Sequence, residues 1–390
     1  MNQKVIPVIL GNFLAMSSVM AILPVIGPII RELGLAEWHS GIIVSVTGLF
    51  VMLMSRYWGK MSDVKGRKKT ILICSVGYIL FYFIYSFFLD FALQNHLSVF
   101  LVLLVFIGLR ALLGVFYAGI YPVNAALIAD MTTKGDRTKG MALLGASSGF
   151  GMIAGPAMAS LFSKQSLTLP LYVASMVAVF IAFLVLFTYP QNIQRNLTKK
   201  PKIKLLDPRL RLPLLTALIT NSCIMMGNMV IGFFGIDVLH LTAQQAAQNS
   251  GYTMVIVGVC MILSQIVIGS IKSISPILWI IGGIFFAAIG YSTIILLQSI
   301  MGLFIGYGLA AMGFGVVFPA FQSLASQSVG VDEQGIAAGS ISATNGLAMM
   351  VIPIVSTVIY EFNPLYPYII ATTLLVALFS YVLWRQSYLD

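Results

Sequence analysis

Hydrophobic residues in this chain fall into long, nearly unbroken runs rather than short amphipathic stripes. A run of about 20 apolar residues can cross a bilayer as a helix. Twelve such runs can be drawn, at 5–30, 40–58, 71–90, 98–128, 138–162, 169–189, 212–239, 247–270, 276–297, 299–327, 335–359 and 365–384. Polar positions collect in the gaps. The longest gap, 191–211, is Lys-rich and contains Pro201 and Pro208. It predicts a linker between a six-span half at 1–190 and a second at 212–390, an all-α membrane fold. One short gap stands out: Gly59-Lys-Met-Ser-Asp63-Val-Lys-Gly66-Arg67-Lys68-Lys69 holds five of the 22 Lys and Arg, with Asp63 as its lone acid. Gly59 and Gly66 are where its backbone is free to turn. One acid at a helix end beside mobile bases can hold a gate shut.

Composition agrees with the pattern. The chain is 59% hydrophobic and 9% charged, whereas soluble domains carry roughly 25% charged residues. A formal charge of +10 would suggest nucleic acid as partner of a soluble protein, but here the bases lie in short loops between apolar runs. Placing both termini in the cytosol puts all but three of the 22 bases on inner loops. The exceptions are Arg31 and Lys164 outside and Arg110 within a span. This bias predicts a multi-pass protein of the cell membrane with cytosolic termini, in a bacterium the inner membrane. The first run is too long for the apolar core of a cleaved leader, so it is expected to remain as span 1. Cys74, Cys223 and Cys260 each sit inside an apolar run, which predicts buried thiols rather than a disulfide or metal site.

The halves look related. Tyr121-Pro122 matches Phe318-Pro319, and Gly140 and Gly151 match Gly335 and Gly346. Asp63 becomes Ser273 and Asp130 becomes Gln327, so the second half keeps the backbone residues and drops the charges. Two related halves with a site at their interface are the plan of many secondary transporters.

Three stretches carry a resemblance to the major facilitator superfamily over essentially the whole chain. The loop from Gly59 to Lys68 resembles that superfamily's signature between spans 2 and 3. Arg110 followed by Gly114 resembles its span 4 motif. Gly151-x-x-x-Gly155-Pro156-x-x-Ala159 resembles the span 5 motif of twelve-span drug/proton antiporters. Val64 stands where a base is usual, and Ala159 where Gly is usual. The resemblance implies that Asp63 lies at the start of span 11, where a helix dipole favours an anion. It implies that Asp63, Arg67 and Asp130 form a cytosolic charge cluster, flanked by Gly59, Gly66, Lys68 and Arg137, that holds one state and releases it on protonation or rearrangement. It also implies a cavity lined by spans 1, 4, 7 and 10. Helical spacing then selects Asn12, Met16 and Leu23; Tyr117 and Tyr121; Asn221, Met225 and Asn228; and Phe314, Phe318 and Gln322.

Arg110 is the lone base well inside a span, where charge is costly and usually functional. Its spacing predicts one face with Gly114, Tyr117 and Tyr121. Its candidate roles are proton coupling, by the family analogy, substrate binding, or a structural bond to carbonyls. No carboxylate falls at the membrane centre; Asp130 and Asp237 are the deepest acids. His39, His96 and His240 are expected in solvated outer loops. Gly151, Gly155 and Pro156 predict a close-packed, bent seam between the halves.

The expected activity is export of small amphipathic compounds by proton antiport, with the proton gradient in place of any cofactor and a monomer as the working unit. The alternative is dedicated export of one metabolite, such as a siderophore or other anionic product. No metalloprotease or hydrolase motif and no phosphate-binding Gly-x-x-x-x-Gly-Lys loop occurs, which argues against an enzyme or an ATP-driven pump.

Overall fold

The computed structural model describes residues 5–95, 97–132, 134–190, 207–271, 274–330 and 334–386, and among these the apolar runs fold as α-helices with no strand. The first half builds α1 (Val5–Met20), α2 (Leu23–Glu32), α3 (Glu37–Lys65), α4 (Arg67–Gln94), α5 (Val99–Tyr117), α6 (Ile120–Met131), α7 (Lys134–Ser163) and α8 (Leu169–Thr188). The second builds α9 (Arg211–Asp237), α10 (Ala243–Ser270), α11 (Pro276–Leu297), α12 (Ile300–Gln327), α13 (Gln334–Phe362) and α14 (Tyr366–Gln386).

Two of the expected spans are broken. Span 1 splits into α1 and α2 just before Pro24, and span 4 into α5 and α6 just before Pro122. Proline has no N–H, and its ring crowds the carbonyl four residues back, here that of Met20 or Ala118. Each break frees carbonyls that water cannot reach in a bilayer, at several kcal/mol per unsatisfied group. An aromatic side chain takes one carbonyl beside each break. Tyr82 Oη donates to the Ser18 carbonyl at 3.0 Å, and Trp58 Nε1 to the Val115 carbonyl at 2.6 Å. Pro156, Pro319 and Pro353 lie inside continuous helices, so the matched Pro122 and Pro319 act differently in the two halves.

Eleven of the twelve expected spans are long and apolar enough to cross a membrane among the described residues. The twelfth is α7, whose first turns carry Lys134, Asp136, Arg137 and Lys139 and whose body is rich in Gly and Ser. Its small residues bring it close to α1. A Cβ on Gly151 would lie 2.6 Å from Met16 Cβ, and one on Gly155 would strike the Ser17 carbonyl. These two glycines therefore serve a seam inside the first half rather than one between halves.

The chain forms two units: Met1–Leu197 with Thr242–Tyr252, and Thr198–Leu241 with Thr253–Asp390. The first turns of α10 thus group with unit 1, where Ser160 Oγ donates to the Gln248 carbonyl at 2.9 Å. Within unit 1, α1 packs on α7 and α8, and α4 on α8 and α5. Unit 2 repeats the order: α9 packs on α13 and α14, and α11 on α14 and α12. Each has a buried tyrosine core. Tyr78, Tyr82 and Tyr85 fill unit 1. In unit 2, Tyr291 donates to the Cys223 carbonyl and Tyr307 to that of Gly227, while Tyr307 and Tyr368 share a hydrogen bond. Cys74 and Cys223 are buried, and Cys260 is half-buried.

Candidate functional site

The loop between α3 and α4 is one residue, Gly66, at φ +91° and ψ 149°. A side chain is strained there, so glycine is the residue that lets the two helices meet head to tail. The junction sets Asp63 in the last turn of α3 four residues before Arg67 in the first turn of α4. Arg67 Nη1 donates to Asp63 Oδ1 at 2.6 Å, and its Nε donates to Asp130 Oδ2 on α6 at 2.9 Å. Nη1 also reaches Ser62 Oγ at 2.6 Å. Charge-assisted hydrogen bonds of this kind contribute about 1.5–3 kcal/mol each. Side-chain exposures of 11% for Arg67, 28% for Asp63 and 22% for Asp130 leave partial screening, so the lower end applies.

Two companions expected in this cluster behave otherwise. Gly59 lies inside α3 with open space beside it and makes no turn. Lys68 Nζ donates to the Leu186 carbonyl at the end of α8, at 2.7 Å, rather than joining the carboxylates. Arg137 lies outside the residues whose side chains are described, and residues 331–333, just before span 11, lie outside the described residues altogether.

Arg110 is 3% exposed in the middle of α5. Its guanidinium carbon sits 5.5 Å from the centre of the Tyr85 ring, and its Nε and the Tyr85 hydroxyl have no hydrogen-bond partner among the described residues. A cation over a desolvated ring gains about 2 kcal/mol, far less than an ion pair would supply in hydrocarbon. Gly114 is packed against the Thr47 carbonyl of α3. Tyr117 Oη reaches Met16 Sδ at 3.4 Å. Tyr121 follows the break at Gly119 and is 46% exposed. Asp237 accepts from buried Tyr360 across α9 and α13 at 3.0 Å.

Two of the three asparagines selected for the cavity join helices inside each unit. Asn12 Nδ2 donates to Ser147 Oγ at 2.9 Å and Ser148 Oγ at 2.8 Å on α7. Asn221 Nδ2 donates to Asn345 Oδ1 on α13 at 2.7 Å. Asn228 has no hydrogen-bond partner among the described residues; it shares the half-buried face of α9 with Asn221, Ile224 and Met225. Phe314 is buried against Tyr291 with ring centres 6.1 Å apart, so it belongs to the unit 2 core rather than to a cavity wall. Gln322 is exposed, and Leu23, past the α1 break, is buried. His39 is nearly buried against Trp38 rather than solvated, His240 is exposed, and His96 lies outside the described residues.

A family model described as Major Facilitator Superfamily matches residues 8–353. The chain belongs to the major facilitator superfamily. Tetracycline resistance protein, class B, of Escherichia coli is 29% identical over 174 residues, 44% of this chain and 40% of that protein. Multidrug resistance protein 2 of Bacillus subtilis is 28% identical over 194 residues, 49% of this chain and 46% of that one. Quinolone resistance protein NorA of Staphylococcus aureus is 27% identical over 194 residues, 49% and 47% of the two chains. The chain thus spans less than half the length of these curated relatives. Among solved structures, a bacterial homolog of the human lysosomal transporter Spinster, inward-facing and occupied, has a TM-score of 0.76 at 14% identity, covering 98% of this chain and 96% of that one. The nucleoside transporter NupG has a TM-score of 0.74 at 13% identity, covering 98% and 99%. At these identities they show a shared fold.

Membership agrees with the long apolar helices in making this a multi-pass membrane protein. The superfamily signature loop brings Asp63 and Arg67 together with Asp130. Sequence reasoning missed Ser62, Tyr85, Asn345 and Tyr360. The available signal was weak: Tyr85 and Asn345 are polar groups in apolar runs, Ser62 and Tyr360 lie just beyond such runs, and each has to find a partner once buried.

Proposed function

We propose that this superfamily member exports small amphipathic, drug-like compounds by proton antiport, with alternating access between the membrane faces. The observation that carries this reading is the single Arg67 shared by Asp63 and Asp130 in unit 1. One guanidinium bridging two carboxylates on α3 and α6 is a latch that a single proton can weaken: protonating Asp130 removes one of its two anionic partners. The names of the relatives, which specify resistance to tetracycline, quinolones and multiple drugs, support the cargo class. The excess of bases on alternate loops supports cytosolic termini and places the latch on the cytosolic face. Coupling is to the proton gradient, with no cofactor, in one chain acting alone.

The test is proton movement in inverted vesicles acidified inside, read with a pH-sensitive dye as candidate compounds are added. Proton release with several cationic or neutral amphipaths, lost in Asp63→Asn at equal expression, is the expected result. No release across such a panel would remove proton antiport of drug-like compounds. Full release by Asp63→Asn would remove the latch and leave antiport standing.

A further inference from the structure

One groove on unit 1 involves none of the residues assigned above. It is an open groove of about 400 Å³, lined by Val76, Ile79, Leu80 and Phe83 of α4 and Val179 of α8, and its wall is wholly apolar. Its mouth is basic. Lys69 is exposed and stands two helical turns before Val76 on the same face of α4. Lys68 bridges the two helices by donating Nζ to the Leu186 carbonyl in the last turn of α8. An ammonium has three donors, and this bond uses one. Neither lysine has an acidic partner among the described residues. Phe183 and Phe187, stacked with centres 6.0 Å apart and both exposed, continue the apolar face of α8 from Val179 towards the mouth.

The dimensions match one bilayer leaflet. At 1.5 Å per residue, Val76 lies about 10 Å and Phe83 about 20 Å along α4 from Lys69. Half of a hydrocarbon core is about 15 Å, with the phosphate layer outside it. We infer that this groove binds one anionic phospholipid, its phosphate held by Lys68 and Lys69 and one acyl chain lying between α4 and α8. Charge complementarity selects the headgroup, because a zwitterionic lipid brings its own cation to the mouth. The inference rests on the membrane embedding of the chain and not on what it carries.

Native mass spectrometry of the full chain, purified in detergent and titrated with palmitoyl-oleoyl phosphatidylglycerol or phosphatidylcholine, tests it. Each lysine near a membrane surface is worth roughly fivefold in affinity for anionic lipid. Phosphatidylglycerol is therefore expected to bind its first site about 25-fold tighter than phosphatidylcholine. Lys69→Gln, at an exposed side chain, should lower that preference about fivefold, and Lys68→Gln with Lys69→Gln should abolish it. Val179→Trp, which fills the groove, should weaken both lipids alike. Equal binding of the two lipids by the wild type, or unchanged phosphatidylglycerol affinity in both lysine variants, would overturn the site. So would displacement of phosphatidylglycerol by an equal concentration of glycerol 3-phosphate, because the acyl chain would then contribute nothing.

Discussion

Arg67 and Lys68 are neighbours in sequence and about 100° apart around α4. That angle sends one to Asp130 and the other to the end of α8, so a run of bases that looks uniform serves two places. The chain's pattern marks the loop as basic and Asp63 as unusual. The pairing with Asp130, 63 residues away, depends on α6 returning beside α4. Arg67→Lys tests the geometry: a lysine keeps the charge but has no planar fork to serve two carboxylates at once. Its transport rate, normalised to membrane level, should fall about tenfold, a loss comparable to breaking one charge-assisted bond. Asp63→Asn and Asp130→Asn should each impair transport, and a double-mutant cycle should show clear non-additivity, since both act through Arg67. Additive losses would mean that the two acids act independently. At Gly66, the positive φ predicts that Gly66→Ala costs about 1–2 kcal/mol, visible as a lower melting temperature in detergent.

On the scale of elements, α7 shows what spacing can and cannot say. Its Gly145, Gly149, Gly151 and Gly155 look alike in sequence. In the fold Gly151 and Gly155 touch α1, whereas Gly145 and Gly149 have open space beside them. Leu144, Ser147, Ser148, Gly151 and Gly155 form one stripe at helical spacing, and Asn12 bonds to it. Gly155→Val should therefore abolish folded protein, read as loss of a monodisperse peak in detergent. Gly145→Ala and Gly149→Ala should each stabilise by about 0.5–1 kcal/mol, read by thermal unfolding, because a helix interior prefers alanine where nothing crowds it. The helix breaks were half legible. Pro24 and Pro122 announce them, but Pro156, Pro319 and Pro353 carry the same signal and stay within continuous helices. The breaks at Pro24 and Pro122 come with Tyr82 and Trp58, each of which takes one carbonyl beside the break, and those partners come from other helices.

At the scale of the whole molecule, each unit pins its first helix to its fifth-span partner with one asparagine: α1 to α7 through Asn12, and α9 to α13 through Asn221. Such interhelical bonds average about 0.6 kcal/mol in membranes. Asn12→Ala and Asn221→Ala should cost similar, small amounts in unfolding experiments. A loss of transport well beyond that cost would move either residue back to the transport pathway. The chain's own pattern determined the spans, the two related halves, the excess of bases on one set of loops and the family. The spans follow from local composition, since a bilayer demands apolar length and backbone self-sufficiency from each segment separately, whereas the family follows from the resemblance of three motifs. Only the tertiary structure decided which polar residues find partners inside a unit and which keep a half-open face. Asn12 and Phe314 went to packing, Lys68 went to α8, and Arg110 remained over Tyr85 without an acid. The reason is physical: a buried polar group is stabilised by whatever donor or acceptor the neighbouring helix supplies, and that neighbour is set by packing across the whole unit.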